Sequence, residues 1–350
     1  MKKRLLSILL TLCMVMCLVP TTAFAEGETV KDVSTEQEST EVLSGEQPGG
    51  HMHYLCGGDF CTGVGDHTCE GKTAFTAWTS NTSLPETGVY YLTQDVTLEA
   101  GFGVTGELTL DLNGHSILLD GVQRSTVIYV MRNGSFTLTD CNGSGGKRYF
   151  VKSTDRNCAW KLSMQDETNS FAVDGGVITH GSTSTGVGVS VISGGKFTMY
   201  GGTVCGNNLD GYRGAGVGVE NGAFTMYGGA VKGNATTNGG GVFVNGDCAF
   251  TMHGGEISEN KAHESGGGLH VGCRSNYATA ATVFTMTGGK ISENKAFESG
   301  GGVYVGASTS TPYLPCPAAR SPETWPPKAR RPTAAVYTWA ARARSGSPAL

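Results

Sequence analysis

The feature that most limits how this chain can fold is a phrase that recurs four times across residues 197–305. Each copy opens on Phe-Thr-Met. One variable residue, a Gly-Gly pair and a β-branched residue follow, then an asparagine, then a glycine-rich triplet that runs into a short apolar strand. The copies start at Phe197, Phe224, Phe250 and Phe284, at intervals of 27, 26 and 34 residues. The asparagine always lies ten residues on, at Asn207, Asn234, Asn260 and Asn294. Periods of this size mean one supersecondary unit per copy, stacked on its neighbours. The unit is β. Phe-Thr-Met alternates apolar, polar and apolar, Val303-Tyr304-Val305 does so through its tyrosine hydroxyl, and Val242-Phe243-Val244 matches it as a short β-branched and aromatic run. Glycines break every run after a few residues, too soon for a helix. Three short strands joined by glycine turns predict an all-β chain, each copy forming one coil of a parallel β-helix with coils about 4.8 Å apart.

Stacking predicts ladders. Phe197, Phe224, Phe250 and Phe284 should lie above one another inside, beside Met199, Met226, Met252 and Met286. Val204, Val231, Ile257 and Ile291 should form a second inward row, and Val217, Val242, Leu269 and Val303 a third. The four asparagines should form a turn ladder, since asparagine tolerates left-handed turns and its amide satisfies loose backbone groups. The glycine triplets are read as turns rather than phosphate cradles.

This phrase resembles the repeats of right-handed parallel β-helix proteins of the pectate-lyase-like superfamily. Gly-Gly-x-Ile-x-x-Asn is also similar to the short repeats of polymorphic outer-membrane and adhesin proteins. The resemblance covers about residues 106–306 and implies a single-stranded right-handed parallel β-helix. It implies little about function, because lyases, hydrolases and adhesins share that scaffold.

Along the chain, residues 1–25 read as a secretory signal: Lys2, Lys3 and Arg4, an apolar core, then Ala23-Phe24-Ala25 as the cleavage site. Residues 26–50 are polar and acidic, a flexible leader. Residues 51–70 gather His51, His53, Cys56, Cys61, His67 and Cys69, which suit a structural metal, a disulfide or unpaired groups. The His-x-His and Cys-Gly-Gly of this segment resemble a short stretch that precedes β-helices in secreted proteins of Gram-positive gut bacteria. Residues 71–105, with Trp78, Tyr90, Tyr91 and Leu92, are expected to cap the open end of the stack. Leu84-Pro85-Glu86-Thr87-Gly88 spells a sortase anchoring pentapeptide, but so far from the C-terminus it reads as a turn. The solenoid is expected over 106–308. Asp111 and His115, beside an Asn113-Gly114 turn, read as structural rather than as an acid–base pair. Ser135-Phe136-Thr137-Leu138-Thr139 opens a degenerate coil.

Residues 147–170 interrupt the pattern with charged, non-repeating sequence. Long insertions on a solenoid map to loops, often on the binding face. Here Tyr149, Phe150 and Trp160 are the candidate sugar-stacking aromatics. The phrase is expected to resume at Phe171.

Residues 309–350 hold eight of the eleven prolines and are rich in alanine and arginine. As written they form a disordered basic tail. The genetic code offers another reading. The third base of each codon, taken with the first two of the next, permits Gly-Gly-Gly-Val-Tyr-Val-Gly across residues 333–340. The same shift permits Met-x-Gly-Gly from Pro315 onward and Asn at Glu323-Thr324. The tail is therefore expected to be a frameshifted continuation of the repeat.

The formal charge is −5; without the three basic charges of the signal and the net five of the tail, the remainder carries about −13. That balance argues against nucleic acid and against polyanionic polysaccharide as partners. No cofactor, metal site or membrane span of the mature chain is implied. Among the acids of the clean repeats, Glu256, Glu259, Glu264, Glu293 and Glu298, two pairs occupy equivalent positions: Glu259 with Glu293, and Glu264 with Glu298, flanking Lys261 and Lys295. Stacked carboxylates could mimic a retaining glycosidase pair, but repetition alone accounts for them. The expected function is that of a secreted or cell-surface structural, adhesin-like protein without a catalytic residue, meeting extracellular glycans or a host surface. The alternatives are a polysaccharide lyase, a glycoside hydrolase or a glycan-binding module.

Overall fold

The computed structural model describes residues 51–54, 72–152, 160–163, 170–211, 214–273 and 282–307. Among them there is no helix; all regular structure is strand. Three parallel sheets take their strands in turn from each coil. The first contains Glu107–Asp111, Ser135–Thr139, Lys196–Met199, Ala223–Met226, Ala249–Met252 and Val283–Met286, with Gly88–Leu92, Lys72–Trp78 and the antiparallel His51–Tyr54 at its far end. The second runs from Val96–Leu98 to Lys290–Ser292 and the third from Phe102–Val104 to Val303–Ala307. A short fourth strip joins Asn208–Leu209, Ala235–Asn238, Lys261–Ser265 and Lys295–Ala296. This visiting order fits a parallel β-helix. The segment expected as a cap already supplies a strand to each of the three sheets, and Leu84 of the sortase-like pentapeptide is buried in the core.

The inward rows fall in register as the period requires. Phe197 pairs with Phe224, Phe224 with Phe250 and Phe250 with Phe284. Their ring centroids are 4.9, 4.7 and 5.1 Å apart, and Phe136 extends the stack at 5.4 Å. The second and third rows, through Ile257 and Leu269, are likewise in register and buried. The asparagine ladder forms through its amides. The Nδ2 groups of Asn207, Asn234 and Asn260 each donate to the next asparagine's Oδ1 at 3.0 Å, and so do their backbone N–H groups. The left-handed residue is not the asparagine, however, but the one before it: Gly206, Gly233, Glu259 and Glu293.

The described residues of the 147–170 excursion form strands rather than a loop. Lys147–Lys152 pairs antiparallel with both Trp160–Ser163 and Ser170–Asp174, making a separate three-stranded sheet. Phe171 therefore does not resume the phrase. Phe136 already occupies the ladder position next to Phe197, so the coil has no room for a second phenylalanine strand. Phe150, expected as a ligand contact, is fully buried in a small core with Val173, Val177 and Cys205.

Outer rings stack as well. Tyr200, Tyr227 and His253 form one outer row with centroids 4.9 and 4.8 Å apart. Phe243, His270 and Tyr304 form another, at 5.0 and 4.9 Å. His270 is 1% exposed. Burial lowers its pKa from 6.5 to about 4. The unfolded imidazole thus takes up a proton near pH 6.5 that the folded one takes only near 4. Stability is then level above about pH 7 and falls by ~3 kcal/mol between pH 6.5 and 4. Burial lowers the pKa of His180 too, which adds a loss of the same sign. Urea titrations across this range should show the decline, and His270→Phe should remove the larger part of it; an unchanged slope would contradict the assignment.

Candidate functional site

Two features far apart in the chain meet at one groove. The excursion contributes Lys152 and Trp160; the later coils contribute Asn234, Ala235, Glu259, Asn260, Lys261, Glu293, Asn294 and Lys295 around a cavity of ≈ 500 Å³. The excursion is held here by aromatic packing. The Trp160 indole meets Phe171 edge-on at 4.7 Å, and the Phe171 ring carries the Lys232 ammonium 4.8 Å above its centroid. The same ammonium reaches Glu259 Oε1 at 3.1 Å, linking the excursion to the acidic row.

The turn before the asparagine explains the layout. At Gly206 a Cβ would come 2.5 Å from Phe150, and at Gly233 it would come 2.8 Å from Phe171. Where the excursion covers the turn, only glycine fits. Beyond its reach the position carries Glu259 and Glu293, with φ of 55° and 58°. Left-handed backbone costs a non-glycine residue roughly 1–2 kcal/mol, and strain retained in a groove marks a position worth testing for function. Glu293→Gly should raise stability by about 0.5–1 kcal/mol, the relieved strain less the extra backbone entropy of glycine. Urea unfolding checks this; a loss above about 1 kcal/mol would mean that the carboxylate itself supports the fold.

The glutamates form one row and Lys261 and Lys295, adjacent in register, form another. Between them run the ladder asparagines, whose amides are taken up by one another and by backbone carbonyls. The groove thus offers carboxylate acceptors on one side, ammonium donors on the other and an indole at one end. Such a surface suits a neutral, hydroxyl-rich ligand, because each hydroxyl both donates and accepts.

Other candidates lie elsewhere. The buried Asp111 carboxylate accepts the backbone N–H groups of Asn113 and Cys141 at 2.8 and 2.9 Å. His115 faces Asp95 at 3.5 Å, which also pairs with Arg148 at 2.8 Å. Glu264 accepts from Asn238 and Glu256 from Ser292. Neither these two nor Glu298 lines the groove. Tyr149 sits in the excursion sheet opposite Ser163 and Ala172 and does not line the groove either. His51 and His53 lie in a described strand, whereas Cys56, Cys61, His67 and Cys69 lie outside the described residues. Among the described residues no group of three His, Cys, Asp or Glu is placed to hold a metal.

The chain matches no family model, no curated protein and no solved structure. The sequence did not show that the excursion reaches the Glu and Lys rows. The usable signal was the change from glycine at 206 and 233 to glutamate at 259 and 293.

Proposed function

We propose that this chain is a secreted or cell-surface, adhesin-like protein. It is a right-handed parallel β-helix of the pectate-lyase-like kind that contacts extracellular saccharide in the groove without cleaving it. The placement of Trp160 at the end of paired Glu and Lys rows carries this reading. An indole supplies an apolar face for a sugar ring, and the rows supply partners for its hydroxyls. The signal-like start and the adhesin-like repeats support an extracellular setting.

The enzymatic reading rests on Glu259 and Glu293. An acid catalyst in a retaining pair is held protonated by burial. Glu293 is exposed and Glu259 is tied to Lys232, so this arrangement favours binding over bond cleavage.

Calorimetry or a glycan array with the full chain tests the proposal. A neutral oligosaccharide should bind, and Trp160→Ala should weaken it tenfold or more, about 1.4 kcal/mol. Absence of any saccharide affinity would overturn the proposal. So would release of cleavage products that disappears in Glu259→Gln.

A further inference from the structure

The last described coil presents the surface of an interior coil, not of an end. At Gly216, Gly241 and Gly268 an added Cβ would lie 2.5, 2.7 and 2.6 Å from a glycine carbonyl oxygen of the next coil. It would also lie 2.9, 2.7 and 2.7 Å from the next coil's asparagine Nδ2. Both are fixed groups, so glycine is obligatory there. At Gly302, the equivalent position, the nearest atom is Ile291 Cγ2 at 4.0 Å, and its φ is not left-handed. Nothing in the described coil requires glycine at 302.

Three further observations agree. Among the described residues nothing accepts the backbone N–H of Asn294, whereas each preceding asparagine donates to the next one's Oδ1. Phe284, Met286, Ile291 and Val303 are only partly buried, while Phe250, Met252, Ile257 and Leu269 are 0% exposed. Terminal repeats of solenoids are ordinarily atypical, with a polar outer face; this one keeps the full apolar phrase.

We infer that one more coil of the same phrase stacks on this edge, and that it is encoded in the shifted frame of the codons written here as residues 309–350. Across Tyr313-Leu314-Pro315-Cys316-Pro317-Ala318-Ala319, that frame permits Phe-Thr-Met-x-Gly-Gly. TAT-TTA-CCA-TG yields TTT, ACC and ATG, and each Pro-Ala or Ala-Ala junction yields GGC. The hidden phenylalanine falls 29 residues after Phe284, inside the 26 to 34 spacing of the repeats. The hidden asparagine at Glu323-Thr324 lies ten residues further on, as in every visible copy. The new asparagine would accept the Asn294 N–H, and the hidden Gly-Gly-Gly would pass over Gly302.

The test compares the chain as written with a version restored by a single-base correction ahead of codon 313. Gly268→Ala should lower the melting temperature of both by about 4–8 °C, the cost of forcing a methyl against fixed backbone. Gly302→Ala should change the chain as written by less than about 1 °C, yet lower the restored protein as much as Gly268→Ala does. Amide protection at Val303 and Val305 should rise roughly a hundredfold on restoration. A restored protein indifferent to Gly302→Ala would overturn the inference. A concentration-dependent dimer of the chain as written, lost in Gly302→Ala, would assign the edge to a second copy instead. A DNA read of the source gene settles the matter even if a variant fails to fold: shifted-frame codons for Phe-Thr-Met-x-Gly-Gly uphold the inference, and their absence overturns it.

Discussion

Asn234→Ala should destabilise the protein by about 3–5 kcal/mol, far more than one exposed amide would account for. Asn234 is 1% exposed. Its Oδ1 accepts both the backbone N–H and the Nδ2 of Asn207 at 3.0 Å. Its Nδ2 donates to the carbonyls of Val204 and Lys232 and to Asn260 Oδ1, at 2.9, 3.0 and 3.0 Å. Truncation orphans donors in one coil and acceptors in three, at a position closed off from bulk solvent. Each buried orphan costs about 1–3 kcal/mol. Asn234→Asp is the sharper variant. It keeps the acceptor but cannot donate, and it buries a charge, so it should be at least as harmful near neutral pH. Urea unfolding of both variants checks the claim, and a loss under about 1 kcal/mol would show that the ladder is ornamental.

Phe224→Ala should cost a similar amount, about 3–5 kcal/mol. The ring is 1% exposed and lies between Phe197 and Phe250, at 4.9 and 4.7 Å with interplanar angles of 8° and 4°. Its loss leaves a gap that two stacked neighbours, each locked in a sheet, cannot close. Phe224→Leu should retain more than half of the lost stability, because it refills most of the volume. In a stack of repeats the damage is local. Hydrogen exchange should therefore speed most in Lys196–Met199, Ala223–Met226 and Ala249–Met252. Uniform acceleration across the described chain would mean that the coils unfold as one unit.

The ladders were legible in the sequence because strand geometry leaves little choice. Side chains alternate in and out, so a phrase repeated with the same internal spacing must place Phe over Phe and Asn over Asn. The excursion was illegible for the same reason: its strands answer to one another and not to the repeat. Lys147–Lys152 is short and charged at both ends, and the gaps before its partners hold neither glycine nor proline to mark a tight hairpin. Phe171-Ala-Val-Asp-Gly-Gly imitates the phrase closely, and only the prior claim of Phe136 on that ladder position excludes it. The groove needed both halves. Glu259, Glu293, Lys261 and Lys295 were visible as copies, and Trp160 as an aromatic in an insertion. Their meeting depends on Phe150 and Phe171 docking over Gly206 and Gly233, which is a matter of packing and not of pattern.

The stacking itself is tested most directly by cysteine pairing along one outward row. Thr198, Thr225 and Thr251 are register partners in three successive coils. Neighbouring coils place Cα atoms about 4.8 Å apart, within disulfide reach, whereas two coils place them about 9.6 Å apart, beyond it. Mild oxidation should therefore link Thr198→Cys to Thr225→Cys, and Thr225→Cys to Thr251→Cys, within one monomer. It should leave the Thr198→Cys, Thr251→Cys pair reduced. Equal linkage of all three pairs, or linkage of the distant pair alone, would contradict the coil order on which the ladders, the groove and the missing coil all depend.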